Sequence, residues 1–413
     1  MSQALALLRP RVYYASVFTG KMLAMYARSL PAPTRSFFLF GPRGTGKSTW
    51  LRQRLPDAAW FDLLRMPLVM ELTRRPETFR NRVEALPKGS WVVIDEVQRM
   101  PALLDEVHAI LAEHGTRYRF ALSGSSARKL RRLDVNLLAG RALTRQFFPL
   151  TAAELDFDFT LDDLLATGCL PMVRSAPRQA IDVLDAYVGT YLREEIQQEA
   201  LTKDLGAFTR FLEVAALCNG QVVNIAGIAR DAGIARPTVA RFFEVLVDTL
   251  IGFWLPAWRP RARIKEVVQP KFYLFDSGVA RGLGGRLREP LEAAERGPLL
   301  ETLVLHELRA ERNRKNLGGE FSYWRTHSGA EIDFVWERGA ARVGIEVKAS
   351  KQWRREYGAE LVMLREEKQL TSAFAVYGGS ERLVDRGIHV LPFAEFAREL
   401  GEGNVLRRAP KRG

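Results

Sequence analysis

The first 155 residues alternate short apolar runs with stretches of helical spacing. Five runs, FFLF, AWFDLL, WVVID, RFALSG and RQFFPL, each have the character of a buried strand, and the first begins at Phe37. Between the third and fourth runs, Leu103, Val107 and Leu111 recur at helical spacing, which predicts a crossover helix with one buried face. Alternating strands and helices predict an α/β domain with a parallel sheet over residues 35–155.

Residues 156–207 show helical spacing without strand signals, which predicts a helical connector. The segment 224–250 then has the pattern of a helix-turn-helix, with Gly233 at the turn and Pro237 opening the second helix. Two strand-like runs, IGFWL and KFYLF, follow it, so a winged-helix module is predicted over residues 208–290.

Basic residues cluster between those two runs, at the tip of the predicted wing. A module of this kind contacts the phosphates of duplex DNA, although packing on the first domain as a structural lid is an equal alternative. The Gly-rich stretch 281–290 predicts a linker. The residues predicted for the wing are Arg259, Arg261, Arg263 and Lys265.

A third α/β domain is predicted over residues 291–400, with a helix followed by the strands GAEIDFVW and ARVGIEVKAS. Glu331, Asp333 and Val335 are expected on one face of the first strand, and Glu346 and Lys348 on one face of the second. Carboxylates grouped beside a lysine suit a divalent metal ion that assists phosphodiester hydrolysis. Ordinary exposed strand charges are the alternative.

The charge balance favours a polyanionic partner, because 61 Lys and Arg outnumber 48 Asp and Glu, for a net charge of +13. No apolar run approaches the roughly 18 residues of a membrane span. Two cysteines and five histidines exclude a disulfide framework and a Cys/His zinc cage, so a cytoplasmic setting is expected. Residues 1–34 are predicted to form a basic N-terminal helix, and residues 401–413 a basic tail.

The clearest chemistry lies between the first strand and the first helix, where GPRGTGKS matches the phosphate-loop pattern G-x-x-x-x-G-K-[ST]. Its glycines let backbone N–H groups turn toward a phosphate, and the following helix adds its dipole. Lys47 is predicted to neutralise the β- and γ-phosphates of ATP, and Ser48 to ligate Mg²⁺. The predicted nucleotide-binding residues of this segment are Gly41, Pro42, Arg43, Gly44, Thr45, Gly46, Lys47, Ser48 and Thr49.

Two more strands end in polar residues that fit the same site. WVVIDE ends in Asp95, predicted to hold Mg²⁺ through water, and Glu96, predicted to act as general base toward the attacking water. RFALSG delivers Ser123 and Ser125 to the same edge of the sheet, where either serine would sense the γ-phosphate. Hydrogen bonding within a turn is the alternative for the serines.

The blocks GPRGTGKSTWL, WVVIDEVQRMPALLDEV, FALSGSSARKL, LAGRALTRQFFPLTAAEL and PKFYLFDSGVARGL, in this order, resemble the bacterial and archaeal AAA-type P-loop ATPases that carry a C-terminal DUF4143 domain. The resemblance implies an ATPase core in which Arg141 follows the serine strand. Arg141 would act as an arginine finger or form a surface salt bridge. Arg193 is a candidate second sensor.

The C-terminal series Glu301, Asp333 and Glu346-x-Lys348 resembles the PD-(D/E)xK nuclease fold, with Ile332 where that motif has proline. The resemblance implies that Asp333 and Glu346 bind Mg²⁺, that Glu301 is an auxiliary ligand and that Lys348 stabilises charge. A nuclease-like fold without catalysis is the alternative.

The sequence as a whole predicts an ATP- and Mg²⁺-dependent ATPase whose nucleotide state controls a winged-helix and nuclease-like unit acting on nucleic acid, DNA being favoured. It predicts no membrane contact and allows a homo-oligomer. Two alternatives stay open. One is an ATP-driven switch or interaction protein with an inactive nuclease-like domain, and the other is a DNA-binding regulator without catalysis.

Overall fold

The computed structural model of the protein describes residues 26–125, 140–192, 205–260 and 266–407. Residues 26–36 have no regular structure, so the part of the predicted N-terminal helix that is described is not helical. Residues 408–413 of the predicted basic tail lie outside the described residues, as do Arg193, Arg261, Arg263 and Lys265.

The N-terminal domain is a parallel sheet with the strand order β2-β3-β4-β1-β5. Its strands are β1 (Phe37–Phe40), β2 (Ala59–Asp62), β3 (Trp91–Asp95), β4 (Arg119–Gly124) and β5 (Leu143–Gln146). Its helices are α1 (Lys47–Arg54), α2 (Met66–Arg74), α3 (Glu77–Glu84) and α4 (Leu103–His114). The crossover helix and all five predicted strands are present, but β5 shares only Arg145 and Gln146 with the predicted run RQFFPL.

Strand β1 shows why this part of the sequence is so apolar. Phe37 and Leu39 pack on one face of the sheet with Trp50, whereas Phe38 and Phe40 pack on the other. Burial on both faces turns the alternating pattern of a surface strand into a continuous apolar run.

The middle of the chain is helical, with a small antiparallel sheet of order β6-β8-β7. Its helices are α5 (Leu161–Thr167), α6 (Pro171–Arg174), α7 (Ala180–Ala186), α8 (Leu205–Leu217), α9 (Ile225–Ala232), α10 (Arg236–Asp248) and α11 (Ser277–Leu283). Its strands are β6 (Gln221–Val222), β7 (Gly252–Leu255) and β8 (Lys271–Leu274). As predicted, Gly233 ends α9 in a left-handed conformation and Pro237 lies in the first turn of α10.

The linker predicted at 281–290 is wrong at its start, because α11 extends into it. Arg281 is only 4% exposed and its Nε lies 3.2 Å from Glu295 Oε2. A Cβ on Gly282 would approach Val188 Cγ2 to 2.7 Å, so glycine serves close helix packing here.

The C-terminal domain is a six-stranded mixed sheet of order β13-β14-β12-β11-β10-β9. Its strands are β9 (Glu320–Arg325), β10 (Glu331–Arg338), β11 (Ala341–Lys348), β12 (Ser372–Tyr377), β13 (Leu383–Asp385) and β14 (Ile388–Pro392). Its helices are α12 (Ala293–Arg314), α13 (Ala359–Glu366) and α14 (Phe393–Glu402). The fold is α/β overall, as predicted.

One hydrophobic core runs through the connector, the middle helices and the C-terminal sheet, from Leu150 to Val405. The boundary suggested between residues 207 and 208 falls inside α8. The edge strand β9 is also covered by the middle segment, because Trp258 N donates to Tyr323 O at 2.6 Å and Tyr323 N to Pro256 O at 3.0 Å. The base of the predicted wing is therefore attached to the C-terminal sheet.

Candidate functional site

The phosphate loop joins the end of β1 to the start of α1. Gly44 and Gly46 have φ angles of 80° and 91°, a region that glycine enters without steric cost. Gly46 is the N-cap of α1, whose first N–H groups lack intrahelical partners and can bind an anion. Lys47 is buried, and its Nζ donates to the carbonyl oxygens of Gly41 (2.7 Å) and Pro42 (3.1 Å). The lysine thus lies folded against its own loop.

The other predicted loop residues differ in exposure. Thr45 is buried and its hydroxyl donates to Pro42 O at 2.8 Å, which closes the turn. Ser48 is half-buried in the first turn of α1, whereas Arg43 and Thr49 expose their side chains. The hydroxyl of Ser48 therefore lies on the same turn as the amine of Lys47.

Two neighbouring strands bring polar side chains to the same edge of the sheet. β3 ends at Asp95, and β4, which lies between β3 and β1, carries Ser123 opposite Leu39 of β1. The Ser123 hydroxyl donates to Asp95 Oδ1, and both residues are buried. A buried carboxylate at the carboxyl edge of a parallel sheet, beside a phosphate loop, suits the coordination of Mg²⁺.

Gln98 forms hydrogen bonds to two predicted site residues that follow different strands. Its Nε2 donates to Glu96 Oε2 and to Ser125 Oγ, the latter at 2.9 Å. Glu96 itself has a φ of 60° and a ψ of 48°, a left-handed conformation that costs a non-glycine residue energy and is typical of functional sites. The buried Gln98 thereby fixes the direction of the Glu96 carboxylate.

Arg28 clamps the far side of the phosphate loop. Its guanidinium donates to Thr45 O and to Phe148 O, both at 2.7 Å, and lies 3.1 Å from Glu154 Oε2. The Glu154 carboxylate also accepts from the backbone N–H of Ser29 at 2.7 Å. The chain before β1 and the chain after β5 are thus joined beneath the nucleotide loop.

The middle segment contacts the loop directly. The Tyr187 hydroxyl donates to Arg43 O at 2.9 Å. A Cβ on Gly44 would lie 3.2 Å from the Tyr187 ring and 3.4 Å from Met172 Sδ. The phosphate loop and the connector are therefore in direct contact, through Tyr187 and Met172.

Arg141 does not lie beside the phosphate loop of its own chain. It precedes β5, whose first residue pairs with Phe37 at the start of β1, and so it lies at the amino edge of the parallel sheet. Its guanidinium lies 3.0 Å from His108 Nε2, and among the described residues it forms no salt bridge with a carboxylate. The loop lies at the opposite edge, so a role as arginine finger requires a second copy of the chain.

In the C-terminal domain, the predicted acidic residues surround a lysine from the middle segment. Lys271 Nζ lies 2.5 Å from Glu331, 3.5 Å from Glu301 and 3.6 Å from Asp333. Glu346 pairs instead with Lys348. In the described part of the chain, only Glu84, Glu113 and His114 bring three possible metal-ligand atoms within 4.8 Å of one another. The acidic residues around Lys271 do not meet this criterion for a metal site.

Burial and charge act in opposite directions within this cluster. Burial alone would lower the pKa of Lys271, but the Glu301, Asp333 and Glu331 carboxylates outweigh it and raise that pKa. Burial, with the nearby Asp333 charge, raises the pKa of Glu301 to about 7 and that of Glu346 well above its ordinary value. The ionised form of Glu301 is therefore favoured by the nearby Lys271 ammonium, and that of Glu346 by Lys348.

The face predicted for β10 is partly wrong, because the strand has a register shift between Ile332 and Val335. Val335 packs on the same side as Ile332, away from Asp333. The irregularity turns Asp333 toward β11, where its Oδ2 accepts from the backbone N–H of Val347 at 2.8 Å. Glu331 and Asp333 nevertheless face the same ammonium.

Models of three protein families together match most of the chain. An AAA domain matches residues 33–156, a domain of unknown function, DUF8612, matches 158–289, and another, DUF4143, matches 296–396. An AAA domain is thus followed by a C-terminal DUF4143 domain, which is the domain order that the sequence blocks predicted.

Among curated proteins, the chain is similar to the uncharacterized proteins Mb2031c of Mycobacterium bovis and Rv2008c of Mycobacterium tuberculosis. Each is 28% identical over 302 residues, which is 70% of this chain and 65% of the relative. The match thus spans slightly less than two thirds of these relatives.

Among solved structures, the chain is similar to Aeropyrum pernix ORC1 in complex with DNA (15% identity, TM-score 0.28, 62% of this chain and 87% of that one). It is also similar to Thermotoga maritima RuvB (16% identity, TM-score 0.27, 54% and 82%). Similarities this distant say nothing about the activity of this chain.

Proposed function

We propose that the protein binds and hydrolyses ATP with Mg²⁺ and passes its nucleotide state to the middle and C-terminal segments. The observation that carries the proposal is the convergence of Lys47, the Asp95–Ser123 pair and Glu96 at the carboxyl edge of one parallel sheet. Phosphoryl transfer needs little more than positioned charge around the phosphates, and this set supplies it.

Each residue has a distinct task in this proposal. Lys47 exchanges its two loop carbonyls for the β- and γ-phosphate oxygens when nucleotide binds. Glu96, held by Gln98, accepts a proton from the attacking water. Ser48 and Asp95 would hold Mg²⁺, which neutralises charge on the phosphates when bound.

The proposal is tested by measuring phosphate release from ATP by the full chain, with Mg²⁺ and with EDTA. We expect turnover that EDTA removes. A protein that neither turns over ATP nor binds it would contradict the assignment.

We further propose that the output is a conformational switch, because the loop carbonyl of Arg43 and the connector residue Tyr187 are hydrogen-bonded. Tyr187→Phe removes the hydroxyl that makes this bond and keeps the aromatic ring. We expect it to remove at least half of the ATP-induced protection from hydrogen exchange over residues 161–192, with less than a fivefold change in ATP affinity, since one neutral hydrogen bond contributes about 1 kcal/mol.

Tyr26→Phe is the matched control for that variant, because the Tyr26 hydroxyl also donates to a backbone carbonyl, Arg174 O at 2.9 Å, which is not a carbonyl of the phosphate loop. It should leave the nucleotide-dependent exchange intact. Equal effects of the two substitutions would mean that Tyr187 does not transmit the signal.

DNA binding is the second candidate function, favoured by exposed arginines at the start of α10 and on the loop after β7. The antiparallel β6-β8-β7 sheet beside α8, α9 and α10 has the element order of a winged helix, in which the start of the last helix reaches the DNA. The exposed cations are Arg236, Arg241 and Arg259.

Arg236→Ala/Arg241→Ala should weaken binding of a labelled DNA duplex and reduce the slope of log affinity against log salt by about 2, one unit for each phosphate that the variant no longer neutralises. Arg74→Ala/Arg75→Ala, which removes the same charge from exposed positions at the C-terminal end of α2, is the control. Identical slopes for both double variants would place the DNA-binding surface elsewhere, for example on the predicted wing or basic tail.

The proposal also covers the place of Arg141, the cellular setting and the membrane. Arg141 acts in trans within a homo-oligomer, because it lies away from its own phosphate loop. The setting is cytoplasmic, which suits the free cysteines Cys169 and Cys218. Among the described residues, no helix is long and apolar enough to cross a membrane.

A further inference from the structure

Lys271 is the most deeply buried cation of the C-terminal acidic cluster, and it comes from another segment of the chain. Its side chain is 4% exposed and faces the carboxylates of Glu301, Glu331 and Asp333. An ammonium removed from water in this way is stable only where carboxylates compensate its lost hydration.

The strand that carries Lys271 is built to present it. Lys271 begins β8, the central strand of the small sheet, where it pairs with Val222 on one side and Leu255 on the other. Tyr273 lies two residues further and therefore on the same face, and its hydroxyl donates to Glu301 Oε2 at 2.6 Å. One face of β8 thus offers two donors to the acidic cluster.

The same carboxylates do not fit a divalent ion. Magnesium requires oxygen ligands at about 2.0–2.1 Å in octahedral geometry, which brings the ligand atoms within roughly 3 Å of their neighbours. In the described residues no three of these acids bring ligand atoms within 4.8 Å of one another. Asp333 is further committed to the backbone of Val347, and Glu346 to Lys348.

We propose that the acidic cluster of the C-terminal domain is a socket for Lys271, which takes the place of a metal ion and locks the middle segment onto the nuclease-like sheet. The lock adds to the backbone attachment between Trp258 and Tyr323 and to the shared hydrophobic core. In this arrangement the C-terminal domain serves as an interaction domain, and it has no metal with which to cut a phosphodiester.

The test uses the nucleotide-free full chain and compares the parent with Lys271→Met, a neutral side chain of similar length. We expect the parent to unfold at the same temperature in EDTA and in millimolar Mn²⁺. Lys271→Met should lower the unfolding temperature in EDTA by roughly 10 °C, because it leaves buried carboxylates unpaired. Mn²⁺ should leave that loss in place, because the carboxylates do not bring their ligand atoms close enough to share one ion.

Two further variants separate charge from packing. Lys271→Met/Glu331→Gln removes one charge of each sign and should unfold at a higher temperature than Lys271→Met alone. Lys315→Met, which removes a half-exposed lysine paired with Glu311 at 2.7 Å, should change the unfolding temperature by no more than about 2 °C.

Either of two results would overturn the proposal. One is a parent protein that binds Mn²⁺ without nucleotide in a manner that Asp333→Asn abolishes. The other is Lys271→Met with the unfolding temperature of the parent in EDTA. If Lys271→Met gives no folded protein, a folded Lys271→Met/Glu331→Gln supports the socket and an unfolded one contradicts it.

Discussion

Lys47→Ala is expected to weaken ATP binding by at least 100-fold, and Glu96→Gln to preserve binding while lowering hydrolysis by 100- to 10,000-fold. The lysine makes charge-assisted hydrogen bonds that contribute about 1.5–3 kcal/mol each, and two phosphates depend on it. The carboxylate of Glu96 acts on the proton of the attacking water, so its removal affects the chemical step, where general-base catalysis contributes about this factor.

Binding of a fluorescent ATP analogue and single-turnover phosphate release measure the two effects separately. Arg52→Ala is the control, because it removes an exposed cation from α1 that stacks on Trp60, 4.1 Å from the ring centre, and not on the loop. A Glu96→Gln protein with parental hydrolysis would remove Glu96 from its role. A Lys47→Ala protein with parental affinity would remove the phosphate loop from nucleotide binding.

Local sequence patterns were sufficient to predict the parallel strands of the first domain. The runs around Phe37, Trp91 and Arg119 are buried on both faces, so each run marks a parallel strand without reference to the rest of the chain. Parallel strands also place their carboxyl ends at one edge, so the predicted meeting of Asp95 and Ser123 follows from topology.

Contacts between distant segments could not be predicted in this way. Lys271 and Glu331 are 60 positions apart and belong to different modules, and nothing in either local pattern links them. A lysine placed just before the buried run FYLF was the available signal, because a buried strand rarely begins with an unpaired charge. Gln98 gave no such signal, because Asp95, Glu96 and Arg99 make its neighbourhood in the sequence polar.

Backbone irregularities and chain direction account for the remaining differences. The register shift in β10 reverses the faces of its later residues, and a strict period of two cannot anticipate it. Arg141 was assigned by its order after the serine strand, but its position before β5 fixes it at the amino edge. Arg28, expected in the basic N-terminal helix, instead has its side chain buried beneath the phosphate loop through contacts with residues that follow β5.

The segment FDSG, which is part of the sequence block PKFYLFDSGVARGL, contacts the connector. Asp276 caps α11, and its carboxylate accepts from the backbone N–H groups of Cys169 (2.6 Å) and Val279 (3.1 Å). The Ser277 hydroxyl donates to Leu164 O at 2.6 Å. The start of α11 thereby holds the end of α5, near the helices that contact the phosphate loop.

Gly278→Ala is therefore expected to destabilise the protein by about 3 kcal/mol and to lower its unfolding temperature by roughly 6–12 °C. A Cβ at this position would lie 2.4 Å from the backbone C and O of Thr167 and 2.8 Å from Gly168 N, and backbone atoms cannot move aside as a side chain does. Gly284→Ala, just beyond the same helix, is the control, because its Cβ would meet nothing closer than 3.5 Å. Thermal unfolding of both variants measures the difference, and matching curves would show that α11 and α5 are not packed this closely.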